Sequence, residues 1–291
     1  MKYAHLIAAL YGQPWAIEAR AGRSISAQFQ NWLAGKNSGV PRAYWEQEDE
    51  DEDEDAKAVA SPNGYKLTGA GTAIISVSGI IGKKLGMFES ACGGYDLNSL
   101  NSALSAACND AQVQRILLDF DTPGGTVTGV LESAAAIKAA GASKPVYGWT
   151  ETQCCSAGYW LASQCSKFLT SQTAIVGSIG VYTSVVDDSE AWANEGLKQN
   201  LMKAGDFKAA GMPGIPFSDK DRARMQAEVD RIYGLFTSDV IRGRGKVAVE
   251  TMQGQTFLGM DCTDLNLTDG ICDTRDQYLS ILESYEPQRI A

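Results

Sequence analysis

Residues 115–125 read RILLDFDTPGG. Arg115 to Phe120 is a near-continuous apolar run of strand length, as expected for a strand covered on both faces, and the turn residues Asp121 to Gly125 end it. Thr126 to Ala140, directly behind, reads as a helix. The same alternation extends outward in both directions. Upstream, Thr72 to Ile81 (TAIISVSGII) reads as a strand, and Leu97, Leu100, Leu104 and Ala107 recur at helical spacing behind a cap candidate, Asp96. Downstream, Pro145 to Thr150 is a strand, Ser156 to Cys165 a helix, and Ala174 to Val186 a β-rich stretch with glycines at 177 and 180. Strands alternating with helices of these lengths predict an α/β fold with largely parallel pairing. Met225, Val229, Ile232, Phe236 and Val240 then mark one long amphipathic helix from Ser218 to Arg242, a stripe that serves a core or an oligomer contact.

The chain has 291 residues, 44% of them hydrophobic, enough for one large domain or two modest ones. Its net charge of -10 leans on Glu46 to Asp55 (EQEDEDEDED), which holds nine acidic residues and no basic one. Like charges at that density repel and bury no surface, so the run is expected to be disordered, either as a solvated linker or as a contact for a basic partner. Nucleic-acid binding is not expected. These features divide the chain into an N-terminal extension (1–45, with Trp15, Trp32 and Trp45 as anchors), an acidic linker (46–70) and a main domain (71–291). No apolar run has the length of a signal peptide core or a membrane span, so a soluble chain without an anchor is expected. Seven cysteines, with Cys154 and Cys155 adjacent, argue for reduced thiols in a cytoplasm rather than a disulfide framework.

The only histidine is His5. A Ser/His/Asp or Cys/His mechanism needs an imidazole to take the nucleophile's proton, and His5 would have to reach the site across the acidic run. Histidine-based zinc sites fail on the same count, and the cysteines lack paired CxxC spacing. A hydrolase built on this chain therefore takes its base from a lysine or a carboxylate.

Three positions could carry chemistry. Gly124 and Gly125 sit where the 115–120 strand opens into a turn, and their backbone could approach an anionic oxygen; a plain Pro-Gly turn explains them as well. Ser156 stands after the 145–150 strand at the start of the next helix, with small Ala157 and Gly158 beside it to leave room for a substrate carbonyl. It reads as a nucleophile or as an ordinary helix N-cap. Cys155 is a rival by position, with no evident activator. Lys208, in GDFKAAG (205–211), lies between glycines and small residues, and Lys203 competes with it; either could be a surface charge. A lysine acts as base only when neutral, which requires its pKa to fall by roughly three units, a cost of about 4 kcal/mol.

Taken together, DTPGG (121–125), CSAGYWLAS (155–163), TAIVGSIGVY (173–182), GDFKAAG (205–211), RGRG (242–245) and LNLTDGI (265–271) resemble the signal-peptide-peptidase-A-like serine peptidases over about 200 residues from Thr72 onward. The resemblance implies a ClpP/crotonase-type spiral of repeated strand-strand-helix units and a Ser/Lys dyad of Ser156 and Lys208. It further implies that Ser178 orients the lysine and that Gly124, Gly125 and the Ala157 amide form the oxyanion hole. No metal or organic cofactor is implied.

The opening residues Tyr11 to Ile17 look like the extension of tailed-phage prohead proteases. That branch implies cleavage of scaffold, portal or capsid proteins by a homo-oligomer within the assembling prohead in the host cytoplasm, and leaves open whether the chain also cleaves itself. Cys154-Cys155 and Cys262 depart from the residues usual in the family, both conservatively in size. The alternatives are a signal-peptide-degrading peptidase of the bacterial cytoplasm, an inactive assembly or scaffold protein, and a crotonase-type acyl-CoA enzyme, for whose acyl-CoA site nothing in the sequence speaks.

Overall fold

The computed structural model describes residues 14–33, 63–85 and 93–284. His5 and the acidic run lie outside them. The chain divides into two compact units, one of Ala16–Gly180 with Phe236–Ala291, the other of Met1–Trp15 with Val181–Leu235.

The larger unit begins at Ala16, within β1 (Trp15–Ile17), and continues through α1 (Ala19–Leu33) into β2 (Lys66–Leu67). Three strand-strand-helix repeats follow. The first has β3 (Thr72–Ser78) and β4 (Ile80–Gly82), and reaches α2 (Leu97–Asn109) through a short β5 (Gly94–Asp96). The second is β6 (Arg115–Asp121), β7 (Gly124–Thr126) and α3 (Val130–Ser143), and the third β8 (Val146–Thr150), β9 (Gln153–Cys155) and α4 (Ala157–Ala162). A fourth strand pair, β10 (Lys167–Thr170) and β11 (Ile175–Gly177), completes the series.

The first strands of the repeats pair in parallel in a six-stranded sheet of order β13-β10-β8-β6-β3-β2, where β13 is Gly270–Ile271. The second strands turn away into smaller sheets, β1-β7-β4-β5 and β12-β11-β9, where β12 is Thr256–Leu258. This regular advance of one repeat per step is the expected ClpP/crotonase-type spiral.

Local sequence explains most of these elements. The Asp96 carboxylate accepts the Asn98 N-H at 2.8 Å, and Leu97, Leu100, Ala103, Leu104 and Ala107 form the buried face of α2. Ile116, Leu117, Leu118 and Phe120 are buried in β6. The predicted strand 72–81 breaks at Gly79, whose φ of 95° bends β3 into β4; a Cβ there would lie 2.0 Å from the Gly93 carbonyl oxygen. The predicted β-rich stretch 174–186 forms a strand only over Ile175–Gly177, because Gly177 and Ser178 both take positive φ and end it.

The smaller unit is loop-rich. Its backbone is tied by aspartates: Asp188 accepts the Gly214 N-H at 2.7 Å and Asp187 the Phe217 N-H at 2.9 Å, around the short α5 (Ser189–Asn194). Trp15 and Tyr182 exchange two backbone hydrogen bonds of 2.8 and 3.0 Å.

The long predicted helix is α6 (Asp219–Arg244). Only Phe236, Asp239 and Val240 are fully buried along it, while Met225, Val229 and Ile232 are half-buried. Its last turns belong to the larger unit. There the Phe236 ring stacks on Trp160 at 4.5 Å, and Asp239 accepts the Trp160 indole N-H at 2.8 Å. The chain closes with α7 (Gly259–Cys262) and α8 (Arg275–Ser284).

Candidate active site

Ser156 occupies the turn between β9 and α4, with φ 54° and ψ -115°. An L-residue that is not glycine visits such angles only when its surroundings impose them, and strain of this kind collects at functional turns. Ser156 holds the cap position of α4 yet makes no side-chain cap bond, so the ordinary N-cap role does not account for it. Its N-H donates to the Gly177 carbonyl at 2.8 Å, while its hydroxyl makes only a long contact, 3.5 Å, with the Gly180 carbonyl oxygen. The residue is fully buried.

Two neighbouring turns converge on it. A Cβ added to Gly124, whose φ is 101°, would lie 2.9 Å from the Ser156 Cβ and 3.0 Å from the Cys155 carbonyl oxygen, so the backbone at 124 approaches the serine as only glycine allows. At Gly125 a Cβ would stand 1.9 Å from the Ile81 carbonyl oxygen, so the close approach to β4 requires a glycine there as well. The Gly124 N-H donates to Thr122 Oγ1 at 3.0 Å. Ala157 opens α4, so its N-H has no acceptor within the helix.

The second converging turn carries Ser178. β9 and β11 run parallel with Cys155 opposite Gly177, so Ser156 and Ser178 leave adjacent strand ends side by side. Ser178 is buried, with φ 53°, and its N-H is held by the Gln255 carbonyl at 2.7 Å.

Thr122 was not singled out by sequence reasoning, although it lies within the DTPGG motif. It is fully buried. Its hydroxyl donates to the Gly79 carbonyl at 2.6 Å and accepts the Gly124 N-H, while its backbone bonds Gln153 and Cys155 at 3.0 Å each. One residue thus fixes the glycine turn against the strand that delivers Ser156. Its methyl also fills the space beside Gly158, where a Cβ would meet Thr122 Cγ2 at 2.3 Å. That corrects the expectation that Gly158 leaves room for a substrate: the room is already taken by Thr122.

With this geometry in view, a model of peptidase family S49 matches residues 138–285. The chain belongs to peptidase family S49. It is 31% identical over 209 residues to capsid assembly protease C of Escherichia phage lambda, an alignment covering 71% of this chain and 47% of that protein. With the head-tail preconnector protein GP5 of Enterobacteria phage P21 it shares 27% identity over 281 residues, 94% of this chain and 56% of the relative. The chain therefore spans about half the length of these two relatives. Among solved structures, an enoyl-CoA hydratase from Shewanella pealeana superposes with a TM-score of 0.44 at 12% identity, covering 77% of this chain and 74% of that one.

The remaining candidates of this S49 chain differ in their surroundings. Cys155, the rival nucleophile, is buried, its Sγ donating to the Ile175 carbonyl at 3.4 Å. Burial pushes its thiol well above the usual range, and Glu18 adds to the effect, which leaves no thiolate near neutral pH. Lys208 belongs to the smaller unit, in a turn bounded by Gly205 (φ 89°) and Gly211 (φ 73°), and is exposed. Among the described residues its Nζ has no hydrogen bond or ion pair, whereas the Lys203 ammonium donates to the Asp206 carbonyl at 2.5 Å. Among the described residues no helix is long and apolar enough to cross a membrane, and no cluster of His, Cys, Asp or Glu could hold a metal ion.

Proposed function

We propose that this S49 chain is a serine endopeptidase of phage or prophage capsid assembly, with Ser156 as nucleophile and Lys208 as general base. The observation that carries the nucleophile is Ser156 itself: a strained, uncapped serine between strand and helix with the glycine turn pressed against it. The lambda relative, by name a capsid assembly protease, favours capsid-assembly proteins as substrates; scaffold, portal or capsid proteins, this chain included, and a homo-oligomeric working form are part of the proposal.

In the proposed cycle a neutral Lys208 takes the Ser156 proton and Oγ attacks a peptide carbonyl. The oxyanion is then held by N-H groups at Gly125 and Ala157, and water finally releases the acyl-enzyme. Gly124 was expected to join them as a donor, but its N-H is given to Thr122, and in this reading it contributes the side-chain-free approach instead. Ser178 orients the lysine. A neutral amine requires desolvation, so this reading entails that the 205–211 segment is packed away from water in the catalysing form.

The test is to express the wild type, Ser156→Ala and Lys208→Ala beside a phage scaffold protein and to follow cleavage by intact mass. Loss of cleavage in both variants, with folding unchanged, is expected. Persistent cleavage in either would remove that residue from the dyad. Cleavage of short apolar peptides but no capsid or scaffold protein would move the chain to signal-peptide degradation.

A further inference from the structure

The chain's own N-terminal segment lies against the candidate nucleophile. β1 adds to the outer edge of β7, and the Glu18 N-H donates to the Pro123 carbonyl at 2.7 Å. Ala16 is 0% exposed and Ile17 4%. The point where a Gly124 Cβ would stand is 2.3 Å from the Ala16 carbonyl oxygen and 2.9 Å from the Ser156 Cβ. These two atoms are therefore no further apart than the sum of those distances. Behind the strand, Glu18 Oε2 accepts the N-H groups of Arg20 (2.7 Å) and Ala21 (3.0 Å), which anchors the start of α1. Ser156 beneath is 0% exposed.

An extended peptide that presents a carbonyl to Ser156 would need the β7 edge for its backbone and the glycine cradle for its approach. Both are already occupied by backbone of the same extended kind, and two chains cannot fill one volume. We infer that residues 16–18 are a built-in strand cover, a resident mimic of the substrate strand that must leave the β7 edge before any other peptide can reach Ser156. This rests on the reading of Ser156 as nucleophile. The cover is short and held at its edge by few bonds, so opening it requires only a local event, and the apparent affinity for substrate is reduced by the fraction of molecules in which it is open.

The test measures access to position 156 in the full chain, independently of catalysis. In a Ser156→Cys background, iodoacetamide alkylation at position 156 is followed by peptide mass, with the buried Cys154 and Cys165 as internal controls. Ala16→Asp places a carboxylate where no water reaches, and Glu18→Pro removes the donor to Pro123. Either substitution is expected to speed alkylation at position 156 about fivefold or more, with the controls unchanged. Unchanged rates at position 156 in both variants, or a rise shared by Cys154 and Cys165, would overturn the cover.

In parallel, Ser156 of the wild type and of Ala16→Asp is labelled with a fluorophosphonate, and faster labelling in the variant is expected. If alkylation accelerates but no chain takes up fluorophosphonate, the cover stands and the nucleophile assignment falls.

Discussion

Ser156 and Ser178 each stand one residue beyond the register pair Cys155–Gly177, and both take positive φ, 54° and 53°. Two adjacent parallel strands thus run out onto serines whose φ is one that side chains rarely adopt. Strain repeated at neighbouring strand ends has a measurable consequence at each.

Ser156→Gly is expected to be more stable than Ser156→Ala by about 1 kcal/mol in urea unfolding, because glycine accepts the turn without a Cβ penalty. Both variants should lose cleavage. The same ordering is expected for Ser178→Gly against Ser178→Ala. Equal midpoints for the glycine and alanine variants would show that the turns carry no strain.

Gly158→Ala forces a methyl to 2.3 Å from Thr122 Cγ2 and should cost about 1–3 kcal/mol through overpacking. Thr122→Ser removes that methyl and keeps the hydroxyl. In a double-mutant cycle the two changes should therefore couple favourably, the pair being more stable than the sum of the single losses. Strict additivity would mean that the backbone, rather than Thr122, absorbs the added group.

Thr122→Val keeps the shape of the side chain and deletes its hydroxyl, leaving the Gly79 carbonyl and the Gly124 N-H without this partner. Roughly 2 kcal/mol of stability should be lost. If the residue positions the glycine turn, kcat should fall more than KM rises in a peptide assay. A change confined to stability would make Thr122 a purely structural residue.

Asp269 lies between Arg244, whose guanidinium donates to it at 2.6 Å, the Phe168 N-H at 2.8 Å and Lys167 at 3.1 Å. Burial alone would raise its carboxyl, but the bonds to Arg244 and Phe168 outweigh this and hold it below the usual carboxylate range. As pH falls, the unfolded chain takes up this proton first, so the stabilisation is present above the ordinary carboxylate pKa and is lost as pH drops through the folded value. Asp269→Asn should therefore cost about 3 kcal/mol at pH 7 and progressively less as pH falls below the ordinary carboxylate range, read from urea midpoints. A cost independent of pH would assign the loss to packing.

Much of the framework was legible from local pattern. The Asp96 cap with its Leu97–Ala107 stripe, the apolar run of β6 and the length of α6 follow from periodicity, which needs no knowledge of distant residues. Ser156 was legible as a candidate because it follows a strand and precedes a helix. Whether its side chain caps that helix was not, since the absence of a cap bond is a matter of backbone angles.

The sequence by itself determined the α/β alternation, the single histidine and the set of chemically plausible residues, because these depend on composition and near-neighbour spacing. Tertiary structure alone decided which glycine faces the serine, that Gly158 makes room for Thr122, that Cys155 is a buried thiol, and that Ala16 lies over the site. Each of these depends on contacts between segments far apart in the chain, set by the parallel register of strands from successive repeats and, for Ala16, by the addition of β1 to the edge of β7, which no local pattern encodes.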